Sequence, residues 1–300
     1  MSLIFDLHSH STISDGILSP TELVEHAVAY GVDVLALTDH DDTGGLAAAS
    51  QEAKRRGLQL INGVEISVTW KKRTLHIIGL KIDPEYPPLK TGLASIRAGR
   101  HVRAVRMATG LDKVGIVGSL EGAYEYAREG IIGRVHFARY LVNNGISKDS
   151  KTAFKKYLVK GKPGYVEHEW ASLADAVSWI VDSGGVAVLA HPGRYDLRRT
   201  SMLVLLEEFR ALGGAAIEVV TGSHTGAQYV EFAKYAQMFG FKSSVGTDYH
   251  GKGLSFMEMG RLPELPINCV PVWHDWPEAL TPSRKTSAVK LTDEISVEAI

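Results

Sequence analysis

The chain of 300 residues carries a single cysteine, Cys269. That excludes an internal disulfide and any zinc knuckle built on paired thiolates, and it fits a reducing compartment. No apolar run approaches the roughly 20 residues of a membrane span, and Asp6 with the first histidines interrupts any signal-peptide core. A cytoplasmic protein is expected, with no membrane attachment and no obligate protein partner. An excess of one charge is also lacking: 33 Lys and Arg face 34 Asp and Glu. The balance hides an asymmetry, because residues 90–165 hold 15 basic against 5 acidic side chains. That segment is either a well-solvated helical face or a field that attracts phosphate-bearing ligands.

What is present is enough apolar sequence, 45% of the chain, to bury a full core in one large domain. Short apolar runs recur with helical stretches between them: "LIFDLHSH", "VDVLALTDHD", "LQLINGVEIS", "GGVAVLAHPG", "GAAIEVVTGSH" and "FKSSVGTDYH". They read as buried parallel strands. "SPTELVEHAVAYG" between the first two reads as a helix with Ser19 as N-cap, Pro20 at its first position and Gly31 just past its end. The alternation predicts an α/β barrel or doubly wound sheet. From 100 to 166 the rhythm changes to Arg-rich helical periodicity, which predicts a helical insertion. The expected organisation is a first barrel part over 1–99, the basic insertion over 100–166, a second barrel part over 167–283 and a loosely packed tail over 284–300.

Almost every candidate strand ends in a side chain able to ligate a metal. His8 and His10 share one strand face by the period of two. Asp15 follows in the loop, His40 ends "LALTDH", His191 ends "AVLAH", and Asp248 with His250 follows "SSVG". "VEISVTWKKRTLHIIGL" reads as a hairpin turning at Lys71 and Lys72, which brings His76 within a rung or two of Glu65. Strand ends of parallel α/β folds converge on one rim, where active sites are built. Buried charges on this scale need partners or metal. Nine nitrogen and oxygen donors exceed the four of one tetrahedral zinc and suit two or three divalent ions, with zinc, manganese and iron all compatible. His26, His101, His168, His224 and His274 read as ordinary surface or core histidines.

"HSHSTISDG", "LTDHD", "GVEIS", "AHPG" and "GTDYH", in this order, resemble the polymerase and histidinol phosphatase (PHP) family of trinuclear metallo-phosphoesterases. The likeness extends through "GRVHFARYL", "KYLVKGKPGYV" and "AHPGRYD" to the subgroup of nucleoside 3′,5′-bisphosphate phosphatases related to ribonuclease AM. The resemblance implies a distorted (β/α)7 barrel with three metal sites: one ion on His8, His10, Glu65 and Asp248, a second sharing Glu65 and adding His76 and His191, a third on Asp15, His40 and His250. It also gives Asp15, His191 and Asp248 a direct part in catalysis.

Arg134, His136 and Arg194 are expected to recognise phosphate, with Lys162 as a weaker candidate, since guanidinium offers paired donors matched to phosphate. Asp41 and Thr43 are expected either to orient His40 or to cap the following helix. The implied substrate is a 3′,5′-bisphosphorylated nucleoside such as adenosine 3′,5′-bisphosphate (pAp), with short single-stranded 5′-phosphorylated RNA as a second. The alternatives are a histidinol-phosphate-type phosphatase and a metal-stabilised binding module without turnover.

Overall fold

The computed structural model describes residues 3–128 and 130–277; the expected tail and residues 278–283 lie outside them. Strand β1 (Phe5–Asp6) is followed by α1 (Pro20–Ala29), β2 (Val34–Leu37), α2 (Leu46–Arg56), β3 (Gln59–Trp70) and β4 (Arg73–Leu80). Then come α3 (Pro87–Asp112), α4 (Ser119–Ala127), α5 (Arg134–Asn143), α6 (Ser150–Ala153) with a π-helical turn at Phe154–Leu158, and β5 (Ala171–Ser172). The chain continues through α7 (Leu173–Asp182), β6 (Val186–Leu189), α8 (Arg199–Ala211), β7 (Ala216–Thr221), α9 (Gly226–Phe239) and β8 (Lys242–Gly246).

The sheet runs in the order β1-β2-β3-β4-β6-β7-β8, with β5 added beside β3. All neighbours on that path pair in parallel except β4, which is antiparallel to both β3 and β6. Leu7 N–H donates to the Val245 carbonyl at 3.0 Å, and Ser9 bridges Tyr249, so the last strand returns to the first and closes a seven-stranded barrel. The reversed β4 is what distorts it.

Local signals account for the surrounding helices. Ser19 and Glu22 form a reciprocal capping box at α1, Pro20 opens it, and Gly31 beyond its end takes φ +80°. In α7 the residues Leu173, Ala176, Val177 and Ile180 repeat at helical spacing and are buried, while Ser172 caps the first turn.

The barrel core, with Leu35, Ile66, Ile77 and Val188 among its fully buried members, takes in Leu89, Leu93 and Ile96 from the first half of α3. A second core of Ala104, Met107, Leu111, Phe137, Leu141, Leu158 and Val166 takes in its second half. One helix therefore contributes to both cores, with the change falling between Ile96 and Ala104. Among the described residues no helix is long and apolar enough to cross a membrane.

Candidate metal centre and anion pocket

The tails of β1 and β8 run side by side. Asp248 N–H donates to the His8 carbonyl at 2.9 Å and His10 N–H to the Tyr249 carbonyl at 2.9 Å, which carries His8, His10, Asp248 and His250 into one space. Gly246 permits the approach: a Cβ there would lie 2.2 Å from the His8 Cβ. In the β3–β4 hairpin His76 pairs with Ser67, two residues from Glu65. Both side chains thus share a face with the ends of β2 and β6, where His40 and His191 stand.

Glu65 is the hub. His8 Nε2 lies 3.4 Å from its Oε1 and His10 Nε2 3.4 Å from its Oε2, and the same two nitrogens lie 3.3 and 3.2 Å from Asp248 Oδ1. His76 Nδ1 and His191 Nε2 are each 3.0 Å from Glu65 Oε1 and 3.3 Å from one another. His40 turns Nδ1 to Glu65 Oε2 at 2.9 Å and Nε2 toward Asp15 Oδ2 at 3.9 Å, and His250 Nε2 meets Asp15 Oδ1 at 3.0 Å. Four sets of donor atoms each fall within 4.8 Å of one another: His10–Asp15–His40–His250, His8–Glu65–His191, His8–His10–Asp248 and His40–Glu65–His76. All nine expected ligands are brought together.

Two observations fit these residues to metal. Donors held about 2.0–2.1 Å from a common tetrahedral centre stand about 3.3 Å apart, close to the 3.3 and 3.2 Å that separate His8 Nε2 and His10 Nε2 from Asp248 Oδ1. Moreover His8 Nε2, His10 Nε2, Asp15 Oδ1, His40 Nδ1 and Glu65 Oε2 are buried without a well-aligned hydrogen bond, although they crowd against one another. Orphans of this kind are costly unless something coordinates them. Positive φ angles at His191 (+26°) and Asp248 (+57°) mark backbone strain at two of the ligands.

A ring of buried polar groups aims the ligands. Glu218 in β7 sets Oε1 3.0 Å from His8 Nδ1 and accepts the His191 N–H at 2.5 Å on Oε2. Asp39 accepts Ser11 N–H, Ser11 Oγ–H and Ser14 Oγ–H at 2.6–2.7 Å, and Ser14 Oγ stands 3.4 Å from His10 Nδ1. Tyr195 Oη accepts the His76 N–H at 2.9 Å and donates to the Ala190 carbonyl at 2.8 Å. Asp6 accepts both Thr247 N–H and Oγ1–H. Burial pushes the Asp6 and Asp39 carboxyls up to about 6. Sequence reading missed Asp6, Asp39, Glu218 and Tyr195. For Glu218 a signal existed, because a carboxylate inside the apolar run "AAIEVV" needs a buried partner.

A cavity of about 470 Å³ opens above the cluster and reaches the insertion. Arg194 and Arg134 line it, as do Arg100 and Arg103. Arg194 Nη1 donates to Asp248 Oδ2 at 2.7 Å. Arg97 and Arg100 from α3 are spent on Asp41 and Asp42, whereas neither Arg103 nor Arg134 has a carboxylate within ion-pairing distance among the described residues. Burial, then Arg134 and Arg100, draws the Arg103 guanidinium down to about 9, the mark of cations gathered without a counter-ion. Trp170 supplies a ring face 4.7 Å from Arg100 Cζ and 5.2 Å from Arg103 Cζ.

Three expectations need revision. His136 is 1% exposed, does not line the cavity, and its Nδ1 accepts the Gly133 N–H at 3.0 Å, so it closes the first turn of α5. Lys162 is exposed in a turn outside the cavity lining. Asp41 spends its carboxylate on Arg100 and on the Ser67 N–H at 2.6 Å rather than on His40, and α2 starts at Gly45 without a side-chain cap. Among the remaining histidines, His224 is a satisfied core residue between the Gly193 N–H and the Val219 carbonyl, while His168 lines the cavity, edge-on to Trp170.

Comparison with known proteins agrees with this geometry. Residues 6–181 match the PHP domain model. The chain is 50% identical over 271 residues to a 3′,5′-nucleoside bisphosphate phosphatase of Chromobacterium violaceum, covering 90% of this chain and 95% of that protein. It is 42% identical over 273 residues to a 5′-3′ exoribonuclease of Haemophilus influenzae, covering 91% and 99%. A solved amidohydrolase structure from C. violaceum, with bound sulfate and no metal, superposes with a TM-score of 0.87 at 50% identity over 90% of this chain and 94% of that one. The chain belongs to the PHP domain family.

Proposed function

We propose that this chain is a metal-dependent phosphoesterase that removes the 3′-phosphate of a 5′-phosphorylated nucleoside, converting pAp to AMP and phosphate. The observation that carries this reading is one cavity with two anion sites: a histidine–carboxylate cluster at its floor, and the uncountered Arg103 and Arg134 on its insertion wall. A substrate with one phosphate needs only the first. The name borne by the C. violaceum relative supports the same substrate class.

Two or three divalent ions, zinc, manganese or iron, fit the nine donors; when bound they acidify water and neutralise phosphoryl oxygens. His8, His10, Glu65 and Asp248 would hold one ion, His76 and His191 with Glu65 a second, and Asp15, His40 and His250 a third. Arg194 reaches over Asp248 and is placed to grip a phosphoryl oxygen while holding that carboxylate. Arg103 and Arg134 bind the 5′-phosphate, which fixes how deep the nucleoside sits and so delivers the 3′-ester to the floor. If that ester continues into RNA, the same cut releases mononucleotides from the 5′ end, the activity named for the H. influenzae relative. The single, half-buried Cys269 suits work in the cytoplasm.

Phosphate release from pAp, AMP and histidinol phosphate, with manganese or zinc restored, tests the reading. Preference for pAp is expected. Preference for histidinol phosphate would replace the substrate, and failure on a broad phosphoester panel would favour a binding module.

A further inference from the structure

The β3–β4 hairpin turns on Lys71 and Lys72, both in the left-handed region at φ +46° and +64°. A two-residue turn of this kind favours Asn-Gly, because Gly has no Cβ and Asn can hydrogen-bond locally, whereas other L side chains are strained there. Lysine at both corners is a poor choice for folding, so another demand holds it. The turn is also fixed from both sides. Trp170 N–H donates to Thr69 Oγ1 at 2.8 Å and its indole N–H to Thr74 Oγ1 at 3.3 Å, while Arg73 Nη1 donates to the Asp196 carbonyl at 2.8 Å, on the segment that follows His191.

Lys72, Arg73 and Thr74 line the cavity, two to four residues along the chain from His76, yet all three are exposed. Lys71 rests over the Trp70 ring at 4.6 Å. None of Lys71, Lys72 and Arg73 has an ion pair among the described residues. The hairpin tip is thus a rigid, uncountered cationic corner standing where the cavity opens to solvent.

We infer that this tip is a further phosphate-binding site, which takes a backbone phosphate beyond the scissile ester when the substrate is an oligoribonucleotide. The inference rests on the function proposed above. A bisphosphorylated nucleoside is consumed by the cluster and the arginine pocket; only the rest of an RNA strand has to leave the cavity, and it leaves past exposed lysines rather than buried arginines. The tip therefore sets the preference between the two substrates and does nothing for the smaller one.

The test is the double variant Lys71→Asn, Lys72→Gly, which removes both charges and installs the residues such a turn favours, so that it folds at least as well as the parent. Hydrolysis of pAp is expected to be unchanged. With a 5′-phosphorylated pentaribonucleotide at low salt, kcat/KM is expected to fall about 5- to 10-fold, and the slope of log kcat/KM against log salt to flatten by about 0.7, for one lost phosphate contact on a single strand. An unchanged pentamer rate, or equal losses on pAp and pentamer, would overturn the inference. Fluorescence anisotropy of the labelled pentamer separates the two proposals: parent protein that fails to hydrolyse pAp refutes the function, whereas equal pentamer affinity in parent and variant refutes the hairpin site.

Discussion

Glu218 Oε1 lies 3.0 Å from His8 Nδ1, and the other oxygen of the same carboxylate accepts the backbone N–H of His191. One buried acid thus orients ligands from two strands, β1 and β6. Accepting a hydrogen bond from Nδ1–H, it favours the tautomer whose Nε2 lone pair is free for a metal on the side of Glu65 and Asp248.

Glu218→Gln keeps the size of the side chain and loses its charge. Metal affinity is expected to fall about 10- to 100-fold, as when outer partners of ligating histidines are removed. Metal titration with circular dichroism checks this; a variant that binds metal as tightly as the parent would show that Glu218 only fills space.

His191→Ala and Asp248→Ala each remove a rim ligand rather than core packing. Several kcal/mol of charge stabilisation are lost with a metal position, about a thousand-fold or more in turnover. Thermal melts should show a folded protein in both cases.

Arg134→Ala removes one of two uncountered guanidiniums. The expected loss on pAp is about 10- to 100-fold in kcat/KM, the scale of one charge-assisted hydrogen bond, with little change on a 3′-monophosphate that lacks the 5′ group. Equal losses on both substrates would remove Arg134 from 5′-phosphate recognition.

His136 is held down to about 4, first by burial and then by the nearby arginines, against Asp15. Its ordinary value is near 6.5, so the unfolded chain takes up the proton first and stability is lost as pH falls from about 6.5 toward 4. At pH 5 the deficit relative to neutral pH is about 2 kcal/mol. His136→Gln preserves the side-chain acceptor for the Gly133 N–H, the role Gln plays in a capping box, and abolishes this term. Urea unfolding at pH 7 and pH 5 should show the acid loss in the parent and a smaller one in the variant.

The ligands were legible because chemistry and topology coincide at strand ends: His8, His40, His191 and Asp248 each stand just past an apolar run, and parallel strands carry such positions to one rim. Glu65 and His76 needed only the hairpin register. Glu218 was legible only as a carboxylate in need of a buried partner, and neither its partners nor those of Asp6 could be read, because His191 and Thr247 come from distant strands. In the insertion the sequence shows cationic helices but not which cation is spent. Arg97, Arg100 and Arg103 follow one helical spacing, yet the first two meet Asp41 and Asp42 and only the third is left without a carboxylate partner among the described residues. His136 was misread for the same reason, since a histidine at the third position of a helix caps it or faces a ligand according to a rotamer that spacing does not reveal.

Metals bound by the His–Glu–Asp cluster would supply the activated water that hydrolyses the phosphate ester. Phosphate release from pAp, measured before and after chelation with metal content followed in parallel, tests it directly. Two or three ions per chain are expected, with loss of turnover as they are stripped and recovery when manganese or zinc is returned; undiminished turnover by ion-free protein would show that the cluster does not act through metal.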